Sequence, residues 1–165
     1  MESRTLEHLL TLEDLRQLKY RYLRSVDQKD WDGLADTLTE DAVADYGTPA
    51  MGDRLLLEGR DAIVSFMREN LGPGLISVHA AGHPEITVNG DTATGTWAFT
   101  DTVIVPEYQI VIQGAAFYQD TYARGDDGTW RISRTGYDRT YEAMVSLSDL
   151  PKFKLTSNKW ATVDQ

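Results

Sequence analysis

The hydrophobic period changes once along the chain, at Gly72-Pro73-Gly74, and that change limits the fold more than any single motif. Before it, apolar residues return every three or four positions, as on one face of a helix. After it they alternate, as on one face of a strand. The pattern predicts three helices followed by a long antiparallel meander, an α+β architecture. The first helix is expected over residues 11–26, with Thr11 as its cap and Leu12, Leu15, Leu18, Tyr22 and Val26 on its buried stripe. Asp30 caps a second helix with Trp31, Leu34 and Leu38 facing inward, ended by Thr39-Glu40-Asp41, and residues 42–46 form a short strand. Residues 47–59, with Pro49, Gly52 and Gly59, read as a loop or lid. The third helix covers 61–70 and buries Ile63, Phe66 and Met67.

Strands are expected at 76–81, 85–89, 93–105, 109–124 and 129–141. Asn89-Gly90-Asp91, Pro106-Glu107 and Gly125-Asp126-Asp127-Gly128 are the turns between the later ones. Strands this long curve strongly, with Gly114 and Gly136 as the expected bulges. A curved sheet wrapped around helices leaves a conical cavity suited to a small apolar ligand. The aperiodic tail, 146–165, carries Phe153, Leu155 and Trp160 and is expected to cover a pocket mouth or a neighbouring subunit. The chain reads as one domain, 1–165, with its core at about 10–145.

Composition removes several function classes. A net charge of −10 without a basic stripe argues against nucleic acid. The absence of cysteine excludes disulfides, thiolate metal sites and cysteine nucleophiles. The three histidines lack ligand spacing, so no metal is expected. No apolar run approaches the ~18–20 residues of a membrane span. With no secretory segment in the sequence, the reading is a cytoplasmic protein whose partner is a small apolar or amphipathic molecule, with no cofactor.

The residues that carry chemistry are His79, Asp101 and Tyr22. On 93–101, Ala93, Gly95, Trp97, Phe99 and Asp101 share one face, so the carboxylate continues a row of aromatics and needs a compensating partner. His79 is the expected partner: an imidazole takes a proton near neutral pH, and an adjacent carboxylate raises its basicity and fixes its tautomer. The competing reading of a strand histidine is a core residue bound to backbone. Tyr22 alone reads equally well as packing, in competition with Tyr20 and Tyr118. Arg139 pairs with Asp138, Glu142 or another acid, or else holds Asp101 or a substrate carboxylate. His83 lies where the chain bends. Trp97, Phe99, Phe117, Tyr118 and Tyr137 are the candidate cavity wall.

Several motifs carry a family resemblance. They are Leu18-Lys19-Tyr20-Arg21-Tyr22, Val26-Asp27-Gln28-Lys29-Asp30-Trp31-Asp32-Gly33-Leu34, Gly59-Arg60-Asp61-Ala62-Ile63, Ala93-Thr94-Gly95-Thr96-Trp97 and Asp126-Asp127-Gly128-Thr129-Trp130-Arg131-Ile132-Ser133-Arg134-Thr135. Together they resemble the SnoaL-like branch of the nuclear transport factor 2-like superfamily, which implies a cone-shaped, cystatin-like α+β fold. Arg16-Gln17-Leu18-Lys19, Ser77-Val78-His79, Pro84-Glu85-Ile86-Thr87, Gly114-Ala115-Ala116-Phe117-Tyr118 and the run from Thr135 to Glu142 narrow the resemblance to bile acid 7α-dehydratases. It implies Tyr22, His79, Asp101 and Arg139 as catalytic residues, Asp27 in support, and a homotrimer. Segments 48–58 and 146–165 depart from that pattern and leave the substrate open.

The implied activity is a dehydratase acting on a steroid-like, polycyclic or aromatic carbonyl compound. His79 would remove a carbon-bound proton and return it to the departing hydroxyl, Tyr22 would stabilise the developing enolate, and Asp101 would orient His79. An isomerase, cyclase or carbon–carbon lyase would use the same cavity, and a non-catalytic binding protein would need only its walls.

Overall fold

The structure, a computed structural model, describes residues 6–46, 52 and 54–161. Helix α1 (Leu6–Gln28) begins earlier than expected, so Thr11 lies inside it. Its extra turn carries Leu6, Leu9 and Leu10 exposed to solvent. The helix there follows from residue propensity, which a search for a buried stripe does not see. Asp30 caps α2 (Trp31–Asp36) as predicted, its Oδ1 accepting from the Gly33 backbone N–H at 2.9 Å. Leu38 is buried, but it opens strand β1 (Leu38–Tyr46) instead of closing a helix. The expected loop holds a strand, β2 (Leu55–Glu58), antiparallel to β1. Residues 47–51 and 53 of that loop lie outside the described residues. Helix α3 (Arg60–Asn70) buries Ile63 and Met67.

The two strands predicted at 76–89 are one, β3 (Ile76–Asn89), with a register shift between Gly82 and Glu85 where His83 takes φ 49°. Strands β4 (Thr92–Val105), β5 (Ile110–Arg124) and β6 (Trp130–Ser146) complete a six-stranded sheet in the order β2-β1-β6-β5-β4-β3. Every neighbouring pair is antiparallel except β1 with β6, which run parallel. The β5–β6 register slips between Ala115 and Ala116 and between Thr121 and Tyr122, not at Gly114 or Gly136. Those two glycines permit close approach instead. A Cβ on Gly114 would lie 2.4 Å from Arg139 Nη1, and one on Gly136 would lie 2.7 Å from the Asp45 carbonyl oxygen.

The alternation of β4 holds: Ala93, Gly95, Trp97, Phe99 and Asp101 are buried beneath the helices. The opposite face carries its threonines, and the strand register puts Val78, Phe117 and Tyr141 exposed on that outer side. Phe117 is therefore not cavity wall. After β6 the tail makes a short 3-10 turn at Leu147–Asp149 and then runs without regular structure. It returns to the C-terminal end of α1, where Trp160 lies beside Lys29 and Lys159 bonds Gln28.

A charged pair fastens α1 to the sheet. Lys19 and Asp120 are both fully buried, with Nζ 2.8 Å from Asp120 Oδ2 in an ion pair that is not aligned as a hydrogen bond. Asp120 also accepts from Thr135 Oγ1 at 2.7 Å and from Tyr122 OH at 2.9 Å, and Tyr122 OH accepts from Trp97 Nε1 at 2.8 Å. Burial pushes the Lys19 ammonium toward a lower pKa, and Asp120 opposes that. Nζ lies 3.3 Å from the centre of the Tyr118 ring, a contact that draws the cation toward the negative ring face. Removing one member of such a pair leaves the other charge uncompensated. Lys19→Met is expected to lower folding stability by about 3–5 kcal/mol in urea titration, and Lys19→Met with Asp120→Leu to recover part of that loss.

Candidate active site

A cavity of about 260 Å³ opens between α1, α3 and the inner face of the sheet. Leu23, Val26, Phe66, Met67, Val103 and Ile112 supply much of its apolar lining. Its polar groups are Tyr22, Tyr46, Asn70, His79, Asp101, Tyr118, Tyr137, Arg139 and Glu142. All four expected catalytic residues, Tyr22, His79, Asp101 and Arg139, thus line one cavity.

The expected partnership within that set is corrected. His79 and Asp101 are directly opposed across β3 and β4, but their side chains do not pair. His79 Nδ1 lies 2.7 Å from Asp27 Oδ1. Asp27 Oδ2 accepts the His79 backbone N–H at 2.8 Å, and Oδ1 accepts Ser77 Oγ–H at 2.9 Å. Three donors from β3 converge on a single carboxylate near the C-terminal end of α1. A carboxylate accepting from Nδ1–H holds the imidazole in the tautomer whose Nε2 keeps its lone pair. The Phe99 ring stacks on the His79 ring, with centroids 6.1 Å apart and planes inclined by 20°.

Asp101 faces Arg139 instead. The guanidinium grips it with both terminal nitrogens, at 2.6 and 2.9 Å, the geometry that makes an arginine–carboxylate pair strong. Arg139 Nε lies 3.5 Å from Glu142 Oε2. Gly114 makes this possible, because the guanidinium occupies the space a side chain would fill there.

Tyr22 hydrogen-bonds Tyr46, and both phenols are deeply buried. Burial raises the pKa of each well above its ordinary value, so both stay protonated. One bond between two hydroxyls uses one hydrogen, and the second remains available to a ligand. Tyr46 escaped the sequence reading, although the buried alternation Ala42, Ala44, Tyr46 points it inward. Tyr118 and Tyr137 are cavity wall as expected. Trp97 is fully buried core bonded to Tyr122, and Phe99 lies behind His79, so neither lines the cavity. His83 lies on the outer side with Phe117. Among the described residues no group of His, Asp or Glu is arranged to hold a metal ion.

Residues 7–136 match the model of the SnoaL-like domain. The chain belongs to the SnoaL-like domain family. An uncharacterized protein of Mycobacterium tuberculosis, Rv2910c, is 30% identical over 134 residues, covering 80% of this chain and 87% of its own. Among solved structures, LinA superposes with a TM-score of 0.75 at 21% identity, over 85% of this chain and 92% of that one. A putative scytalone dehydratase from Novosphingobium aromaticivorans superposes with a TM-score of 0.72 at 19% identity, over 82% and 87%. These structures share the curved-sheet α+β fold. No described helix is long and apolar enough to cross a membrane.

Gly114 is testable independently of activity. Gly114→Ala is expected to cost about 1–3 kcal/mol in denaturant titration, as overpacking does. The penalty should shrink on an Arg139→Ala background, where the colliding guanidinium is gone.

Proposed function

We propose that the protein is a lyase that eliminates water or a comparable leaving group from a small cyclic compound, with His79 as general base. The observation that carries this reading is the 2.7 Å contact between His79 Nδ1 and Asp27 on the wall of an apolar cavity. Asp27 takes the orienting role that the sequence suggested for Asp101. It stabilises the imidazolium formed when Nε2 accepts a carbon-bound proton. The hydrogen left over from the Tyr22–Tyr46 pair is donated to the carbonyl oxygen that makes this proton acidic, where negative charge develops. His79 then returns the proton to the departing hydroxyl, and water leaves. This proton traffic needs only side chains.

Two solved structures of the same fold bear the names hexachlorocyclohexane dehydrochlorinase and putative scytalone dehydratase, and both names describe eliminations. They support the reaction class for this chain. The cavity volume supports a one- or two-ring core over a four-ring steroid, since about 260 Å³ lies just below the ~300–1,000 Å³ usual for drug-sized ligands.

Mass spectrometry of products from hydroxylated cyclic ketones separates elimination from isomerisation, because only elimination changes the mass. With a substrate in hand, His79→Ala is expected to lose about 10²–10⁴-fold in kcat while keeping the fold. Asp27→Asn should lose a comparable factor, since its amide disfavours the productive tautomer. Full turnover by His79→Ala would remove the general base from the proposal.

A further inference from the structure

The inner face of the sheet carries one continuous row across four strands. His79 on β3 opposes Asp101 on β4, Asp101 opposes Gly114 on β5, and Gly114 opposes Glu142 on β6. Arg139 lies over the vacant glycine position, between the two acids. Its terminal nitrogens are both taken by Asp101. Its Nε is buried, with no hydrogen bond and with the Glu142 carboxylate 3.5 Å away. Apart from His79, Arg139 is the only cationic side chain among the described residues lining this cavity. Two carboxylates therefore share one guanidinium, and a third, Asp27, stands behind His79. Among the residues lining the cavity, the two carboxylates outnumber the one guanidinium, so the lining is net negative when His79 is neutral.

We propose that this arrangement makes the cavity select uncharged ligands, with Glu142 as the residue that prevents Arg139 from acting as an anion hook. The proposal rests on the reading that this cavity is the substrate site, and it narrows the substrate to a neutral molecule. An arginine on a pocket wall ordinarily recognises carboxylate or phosphate through its fork of N–H donors. Here both terminal nitrogens of that fork are engaged by Asp101, and the Nε–H faces a second acid. An incoming anion meets a guanidinium whose charge is already shared by two carboxylates, and it is repelled by both.

The test uses two probes that differ by one charged group: N-phenyl-1-naphthylamine, which is neutral, and 8-anilinonaphthalene-1-sulfonate, which adds a sulfonate to the same skeleton. Binding to the purified full chain is followed by fluorescence at low ionic strength. The wild type is expected to bind the neutral probe at least tenfold more tightly. Glu142→Gln leaves Arg139 with a single carboxylate and should raise affinity for the anionic probe at least tenfold, with less than a threefold change for the neutral one. Val103→Trp fills the cavity and should release the neutral probe. Equal wild-type affinities, an unchanged ratio in Glu142→Gln, or neutral-probe binding that survives Val103→Trp would each overturn the proposal. If Glu142→Gln does not fold, the wild-type ratio and the Val103→Trp result still decide it. These are equilibrium measurements of ligand. An absence of elimination activity would leave the charge preference standing, and equal affinities would leave the elimination chemistry untouched.

Discussion

The site depends on the carboxylate of Asp27. It lies near the end of a long helix and accepts three hydrogen bonds from two residues of a neighbouring strand, Ser77 and His79. One of those bonds is to backbone, so the helix is anchored to the strand itself as well as to a side chain. The same three bonds set the distance between α1 and β3, the orientation of the imidazole ring and the nitrogen that carries the proton. A carboxylate already surrounded by donors has little freedom to turn, which suits a group meant to hold another in place.

Asp101 shows how burial alone leaves an acid's role open. It stands directly opposite His79 in the sheet and was the natural partner by proximity, yet a bidentate guanidinium is the stronger claimant. The cavity wall is thereby divided into two electrostatic units. One is a histidine held by the Asp27 carboxylate at 2.7 Å. The other is an arginine neutralised by its neighbours. Behind both, Lys19 and Asp120 form a third, fully enclosed pair whose cation touches the back of Tyr118, itself part of the wall. Each of these buried cations therefore faces a carboxylate close at hand.

What the sequence reveals follows from which signals are local. The change of period, the Asp30 cap and the inward face of β4 all depend on neighbours a few positions apart, and all three are found in the structure. The motifs likewise led to the SnoaL-like family. The pairing of His79 with Asp27 joins residues 52 positions apart and turns on a choice of rotamer, which no periodicity encodes. Phe117 was placed on the wrong face because alternation within β5 fixes relative facing only. Which set of residues points inward is decided by its pairing with β4. The buried pairing of Lys19 with Asp120 likewise joins residues far apart in the chain, and no local pattern announces it.

The parallel pairing of β1 with β6 has an effect on how the molecule comes into being. Tyr46 stands beside Tyr137 in that ladder, and Arg134 reaches Asp45 across 89 positions of sequence. Contacts of such long range carry a large loop-closure cost, which slows folding. On a ribosome, the helices and the early hairpin emerge well before the strand that closes the wall. Until that strand arrives, Tyr46 has no neighbour on its open side and the apolar lining faces water. The nascent chain therefore passes through a stage with an unfinished sheet and no enclosed chamber, and the last strand to be synthesised is the one that seals it.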